Sequence, residues 1–146
     1  GYIAGNASLI EWLRHSAPGF VYSVGLAPAL AAAATESLKI LRAEPERVTR
    51  LQANASLFLE LARDAGFDTG SATPHAIIPV ILGSSIAAAR YSQKLLARGI
   101  NVQPIIYPAV AEKAARLRFF LSSEHSENDI RATISALSEI RAEAKG

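Results

Sequence analysis

The sequence predicts an α/β (α+β) two-layer fold, in which a small, mostly antiparallel sheet is covered by helices on one face and preceded by long helices. Of the 146 residues, 50% are hydrophobic and 19% are charged, a composition typical of one folded domain. Helical spacing of apolar residues dominates the first half, and short β-branched runs appear beyond residue 70. Their succession of strand, helix, strand, strand and helix is typical of a sheet packed against helices.

The composition also excludes several classes of protein. Lys and Arg number 15 against 13 Asp and Glu, and a net charge of +2 is too small to indicate a nucleic-acid partner. The longest apolar run, residues 26–34, contains Pro28 and is far shorter than the roughly 20 residues that cross a bilayer, so no membrane partner is expected. Cysteine is absent, which excludes disulfides, and a cytoplasmic location is expected. Because no methionine stands at position 1, we expect a piece of a longer protein.

The first helix is predicted over residues 9–14. Ser8 is followed three positions later by Glu11, the spacing of a capping box that satisfies free amide donors at a helix start. Residues 16–27 contain one proline and two glycines among apolar and aromatic side chains, so an ordered loop is expected there.

Two long helices are predicted next. Pro28 suits a first helical position, and the alanine-rich residues 29–42 have high helix propensity. Pro45 lies between two glutamates and is expected to end this helix and to open another, with Gly66 past its end. The apolar residues of that second helix keep three-to-four spacing at Val48, Leu51, Ala55, Phe58 and Ala62.

The second half is predicted to form the sheet. Residues 77–82 are a β-branched run closed by a glycine, and Pro79 within it favours an edge position or a bulge. Residues 101–105 are predicted as the second strand. The helix between them, over residues 85–98, is expected to turn three apolar residues inward, Ile86, Ala89 and Leu96.

A third strand and a last helix complete the prediction. In residues 116–121, period-two alternation puts two arginines on one face and three apolar residues on the other, Leu117, Phe119 and Leu121. Ser126, with Asp129 three positions later, indicates a second capping box. The helix that it opens repeats residues at helical spacing, namely Ile130, Ile134, Leu137 and either Ile140 or Arg141.

Arg118 is the candidate binding residue that this spacing singles out. It projects from the polar face of a strand that follows a Tyr-Pro loop, and its planar guanidinium suits a carboxylate. In the alternative interpretation, Arg116 and Arg118 simply line a solvated face of the sheet.

Other residue types show no catalytic or metal-binding pattern. The three histidines lie far apart and lack ligand spacing, so no metal site is expected. The serine pairs lack a G-x-S-x-G context, and the glycines form neither a dinucleotide-binding nor a P-loop pattern. The four lysines are expected to be solvated charges.

Short segments along the chain carry a family resemblance. They are G-Y-I-A-G at 1–5, F-V-Y-S-V-G-L-A-P at 20–28, I-P-V-I-L-G at 78–83, R-G-I-N-V-Q-P-I at 98–105, Y-P at 107–108, A-R-L-R at 115–118, and His125. In their order and spacing they resemble the α-oxoamine synthases, pyridoxal-phosphate enzymes of fold type I that include 8-amino-7-oxononanoate synthase. The resemblance covers nearly the whole chain.

The resemblance implies roles for individual residues. The second arginine of A-R-L-R holds the amino-acid carboxylate in that family, which gives this substrate-binding role to Arg118. The loop at 20–28 contacts the cofactor phosphate across the dimer interface, and only Ser23 carries over, because Gly25 stands where the family has a second serine. The family's Schiff-base lysine lies upstream of residue 1, so no catalytic residue is expected in this chain.

The resemblance also implies an organisation and an activity. Residues 1–27 would be the end of the large cofactor domain with its interface loop, 28–66 linking long helices, and 67–146 the small carboxyl-terminal domain. The longer protein would be a homodimer that condenses an amino acid with an acyl-CoA and releases carbon dioxide, and the chain alone would be inactive. Two alternatives stay open: a ligand-binding or regulatory module without catalysis, and a fragment of a fold-type I aminotransferase.

Overall fold

The computed structural model describes residues 2–23 and 25–144. The chain divides into two compact units, Gly1–Ala43 and Glu44–Gly146. The predicted three-part organisation concerns the longer protein and stays a prediction. Within the described part of the chain, no helix combines the length and the apolar character that a bilayer crossing requires.

The described residues of the first unit form three helices, α1 (Ala7–Ser16), α2 (Pro18–Val21) and α3 (Pro28–Ala43). The side chain of Asn6 caps α1 by accepting a hydrogen bond from Leu9 N at 3.1 Å. The predicted capping box at Ser8 and Glu11 is therefore wrong, because asparagine caps as well as serine and stands two residues earlier. The loop predicted over residues 16–27 is also interrupted, since a proline opens the single turn of α2.

The second unit contains three helices, three strands and a short 3-10 helix. They are α4 (Glu46–Asp64), β1 (Ile77–Ile81), α5 (Ser85–Leu96), β2 (Gln103–Ile105), the 3-10 helix (Glu112–Ala114), β3 (Arg116–Phe120) and α6 (Glu127–Glu143). β3 lies in the centre and pairs antiparallel with both β1 and β2. The predicted two-layer fold is confirmed, and β1 is an edge strand of this sheet, as its proline indicated.

The core lies between one face of the sheet and the three helices of the second unit. Ile78, Val80 and Leu117 are fully buried on the inner face of the strands. From α4, the ring of Phe58 packs 4.8 Å from that of Phe119, centroid to centroid. The apolar residues predicted to face inward on α6 are all buried, namely Ile130, Ile134, Leu137 and Ile140.

Glycine ends α4 as predicted. Gly66 has φ +73°, a conformation that side chains with a Cβ rarely adopt. Just past it, Phe67 N donates to Ala62 O at 2.9 Å, which satisfies one of the carbonyls left free at the helix end.

The inward face predicted for α5 is wrong. Ile86 and Leu96 are 73% and 61% exposed, and the buried face consists instead of Ala88, Tyr91 and Leu95. Both sets of residues have helical spacing, so the pattern alone did not decide which apolar stripe of α5 faces the core. In the structure the second stripe faces the core, where Tyr91 and Leu95 join the buried cluster.

The capping box of α6 gives a stability prediction. Ser126 Oγ accepts from Asp129 N at 3.2 Å, and Ser126 N donates to Asp129 Oδ2 at 2.9 Å. Ser126 Oγ also donates to Asp129 Oδ2 at 2.7 Å, and this bond, together with the one from Ser126 N, holds the pKa of Asp129 below its usual range. The stabilisation by the Asp129 carboxylate is therefore present at neutral pH and is lost as the pH falls through that lowered pKa. Ser126→Ala should lower the free energy of unfolding by about 1 kcal/mol, measured by urea denaturation. Ser135→Ala, at an exposed position inside α6, is the control and should cause no loss; equal losses would contradict the capping role.

Candidate functional site

The candidate site lies on the open face of the sheet, opposite the helices. Along β3 the buried side chains of Leu117 and Phe119 alternate with Arg116, Arg118 and Phe120 on the open side. Directly across from Arg118 in the register stand Pro79 of β1 and Gln103 of β2. Two edge strands thus flank Arg118 on a face that no helix of this unit covers.

The two arginines of β3 differ in what their guanidinium groups contact. Arg116 is half-buried, and its Nε donates to Ala114 O at 2.7 Å. Arg118 is exposed, and within residues 2–23 and 25–144 no acceptor or carboxylate engages its N–H groups. Its Cζ lies 5.0 Å from the centroid of the Phe120 ring. Arg118 is therefore the one of this pair that is available to bind a carboxylate, while its role as the substrate anchor stays a prediction.

A hydrogen-bonded cluster fixes the loop that leads into β3, and the sequence did not reveal it. Glu112 accepts from Ser85 N at 2.8 Å through one oxygen and from Ser85 Oγ through the other. Tyr107 N in turn donates to Ser85 Oγ at 3.2 Å. The bonds from Ser85 hold the pKa of Glu112 below its usual range, so the carboxylate is charged at neutral pH. The cluster ties the start of α5 to the segment just before β3, and 27 residues separate its two main members.

Ser23, the predicted phosphate contact, lies in the first unit. Its Oγ donates to Phe20 O at 2.9 Å and accepts from Gly25 N at 3.4 Å, and the residue is exposed. It borders a depression of about 460 Å³ that Arg14 and His15 also line. These groups fit a phosphate contact once the Ser23 hydroxyl turns away from the Phe20 carbonyl, because the proton must be donated to the anion.

A cavity of about 690 Å³ in the second unit lies beside the end of β3 and the first turns of α6. Arg118 does not line this cavity, although its neighbours Gln103 and Phe120 do. His125 borders it, but this residue has structural partners. Its Nδ1 accepts from Ser122 N at 3.2 Å, and its carbonyl accepts from Asn54 Nδ2 at 2.8 Å. Across the described residues, no three histidine or acidic side chains come together as a metal site.

The sequence model of a protein family, described as aminotransferase class I and II, matches residues 1–137. The chain belongs to this family. Among its relatives in the aminotransferase class I and II family, the 8-amino-7-oxononanoate synthase of Thermoanaerobacter pseudethanolicus is 39% identical over 141 residues, which is 96% of this chain and 35% of that protein. The 2-amino-3-ketobutyrate coenzyme A ligase of Escherichia coli K12 is 37% identical over 140 residues, with coverage of 96% and 35%.

Solved structures of enzymes share the fold. A serine palmitoyltransferase of Sphingomonas wittichii has a TM-score of 0.80 at 27% identity, over 95% of this chain and 35% of that one. The 8-amino-7-oxononanoate synthase of Francisella tularensis has a TM-score of 0.77 at 27% identity, over 97% and 41%. The chain thus spans about a third of the length of the curated relatives that it matches. These comparisons confirm the family resemblance and the fold type that the sequence indicated.

Proposed function

We propose that the chain is the carboxyl-terminal part of a pyridoxal-phosphate-dependent acyltransferase, here called the parent enzyme, which condenses an amino acid with an acyl-CoA. The names of the relatives support this reaction class, because both an oxononanoate synthase and a ketobutyrate CoA ligase match almost the whole chain. In the parent enzyme the amino-acid α-carbon would bond to the thioester carbonyl carbon, CoA would leave as a thiol, and carbon dioxide would be released.

The observation that carries the proposal is the free guanidinium of Arg118 on the open sheet face. A carboxylate that approaches this face can accept two parallel N–H bonds from Arg118 without displacing a protein partner among the described residues. Binding there orients the amino acid by its carboxylate and leaves its α-carbon to the rest of the parent enzyme. The central position of β3 supports this role, because a neighbouring strand pairs with it on each side.

The cofactor would be held mainly outside this chain. When bound, pyridoxal phosphate supplies an electron sink that stabilises negative charge at the amino-acid α-carbon. We assign to Ser23 a single hydroxyl contact to the cofactor phosphate in the partner subunit. We also propose that the chain alone is inactive.

We also propose that the parent enzyme is a cytoplasmic homodimer. The three helices of the first unit have no buried residue. Large apolar side chains of this unit are exposed to solvent, among them Trp12 at 64% and Leu30 at 61%. An apolar surface of this kind normally lies against another part of a protein, and a second subunit would supply such a cover. The small net charge supports the absence of a nucleic-acid partner.

Product analysis of the parent enzyme tests the proposed reaction. The purified protein, loaded with pyridoxal phosphate, is incubated with a panel of small L-amino acids and acyl-CoA thioesters. We expect free CoA thiol, carbon dioxide and an α-amino ketone in equal amounts, and no turnover when the acyl-CoA is left out. The isolated 146-residue chain is the control and should form none of these products.

Two outcomes would contradict the proposal. The family also contains aminotransferases by its description, and such an enzyme would transfer an amino group to a 2-oxo acid without acyl-CoA and would release no thiol. A ligand-binding module would show neither reaction, and borohydride would trap no cofactor on a lysine of the parent protein.

A further inference from the structure

Phe120 is an aromatic residue that the core does not require. Its ring is 54% exposed, whereas the preceding Phe119 is 6% exposed and packs against the helices. Phe120 and Arg118 are two residues apart on β3 and therefore project from the same, open face. The ring centroid lies 5.0 Å from Arg118 Cζ, within the range of a cation–π contact.

Contact with an aromatic ring differs from other ways to hold an arginine. A ring attracts the cation through its π-electrons, so it need not occupy the in-plane N–H donors that a carboxylate would use. Arg141 shows the contrasting arrangement. Its Cζ lies 4.2 Å from the Phe67 centroid, but its Nη atoms also donate to Ala65 O and Gly66 O, at 2.6 and 3.2 Å. The Nη donors of Arg141 are thus hydrogen-bonded at the end of α4, whereas the donors of Arg118 remain available.

The other neighbours of Arg118 in the sheet do not hold its charge. Pro79 stands opposite it on β1 and carries no polar side chain, and Gln103 stands opposite it on β2 without a hydrogen bond to it. No ion pair involves Arg118 in the described part of the chain. Phe120 itself has Ile77 as its cross-strand partner, an apolar neighbour that is 49% exposed. Among the described residues, the recorded polar or cation–π partner of the Arg118 guanidinium is thus the ring of Phe120 alone.

We propose that Phe120 is a positioning residue, which restrains the guanidinium of Arg118 so that its N–H donors are oriented for a carboxylate before the substrate binds. This inference rests on the proposed function of Arg118. An arginine that is already restrained loses less side-chain conformational entropy when a carboxylate binds. The smaller entropy loss makes binding tighter. Removal of the ring should weaken amino-acid binding about two- to fivefold, which corresponds to the contribution of one exposed cation–π contact.

The test uses the parent holoenzyme with Phe120→Leu, Phe120→Tyr, Arg118→Ala and the double variant that combines Arg118→Ala with Phe120→Leu. Phe120→Leu removes the aromatic face and keeps an apolar side chain, whereas Phe120→Tyr keeps the face. We expect Phe120→Leu to raise the KM for the amino acid about two- to fivefold, with a smaller change in kcat and no change in the KM for acyl-CoA. Phe120→Tyr should restore the KM to near the unmodified value. In an Arg118→Ala background, Phe120→Leu should add no further increase, because the ring would act only through Arg118.

The outcomes separate this inference from the function on which it rests. If Arg118→Ala weakens amino-acid binding but Phe120→Leu does not, the positioning role is overturned and the proposed function stands. Equal KM increases in Phe120→Leu and Phe120→Tyr, or an effect of Phe120→Leu that persists in the Arg118→Ala background, would also overturn it. If Arg118→Ala leaves the amino-acid KM unchanged, the proposed anchor fails, and the positioning role fails with it.

Discussion

Replacement of Phe58 by alanine is expected to lower the free energy of unfolding by about 3 to 5 kcal/mol, the usual effect of emptying a buried phenylalanine site. The ring is 1% exposed in α4 and lies against Phe119 of the central strand. It therefore joins a helix to the sheet, and its removal leaves a cavity between the two layers. Urea denaturation of the 146-residue chain, followed by circular dichroism, measures the change.

A matched exposed phenylalanine provides the control for this prediction. Phe20 is 56% exposed in the first unit, and Phe20→Ala should change the free energy of unfolding by about 0.5 kcal/mol or less. Phe58→Leu should lower the free energy of unfolding by an amount between those of the two alanine variants. Leucine refills most of the volume of the site but loses the contact between the rings. Losses of similar size in Phe58→Ala and Phe20→Ala would contradict the assignment of Phe58 to the core.

The sheet could be predicted wherever the sequence pattern allowed only one interpretation. The alternation along β3 assigned Leu117 and Phe119 to the interior, and both are buried. Pro79 indicated an edge strand because it cannot donate a ladder hydrogen bond, and β1 lies at the edge. The capping box of Ser126 and Asp129 marked the start of α6, since both of its reciprocal bonds are local in sequence. Local chemistry therefore decided these elements.

Predictions failed where two local signals were of similar strength. At the start of α1 both Asn6 and Ser8 suit a cap, and the earlier residue takes the role. In α5 two apolar stripes have helical spacing, and only tertiary packing decides between Ile86 on one and Tyr91 on the other. The cluster of Ser85 and Glu112 could not be found from sequence, because its members meet only after the helix and the following strand have folded.

The candidate site shows the same division between pattern and packing. Alternation placed both arginines of β3 on the polar face, and the sequence singled out Arg118 but left open that both simply line a solvated face of the sheet. The structure ranks them through contacts: Arg116 donates to Ala114 O, whereas Arg118 lies against Phe120 with its donors free among the described residues. Phe120 was missed because an aromatic residue next to a buried phenylalanine gives no signal of its own until the strand direction fixes its face.

Arg118→Ala in the parent enzyme is expected to weaken binding of the amino acid by about 1.5 to 3 kcal/mol, roughly 10- to 150-fold, the usual contribution of hydrogen bonds to a charged group. The reason is that no acceptor among the described residues engages the donors of Arg118 on the open face, so they are available to the substrate carboxylate and are lost with the side chain. The KM for the amino acid should rise by that factor, and the KM for acyl-CoA should stay constant. Calorimetric titration with the amino acid alone gives the same quantity independently of turnover.

Two further variants decide whether the effect comes from the position or merely from positive charge on this face. Arg116→Ala removes an equal charge two residues away but breaks the bond to Ala114 O, so it should affect stability more than amino-acid affinity. Arg118→Lys keeps the charge and loses the planar fork, and it should bind the amino acid more weakly than arginine but better than alanine. Unchanged affinity in Arg118→Ala, or equal losses in Arg116→Ala and Arg118→Ala, would mean that the sheet face carries only solvated charges. A graded loss from arginine to lysine to alanine at position 118, with Arg116→Ala close to the unmodified enzyme, requires a carboxylate bound by that one guanidinium.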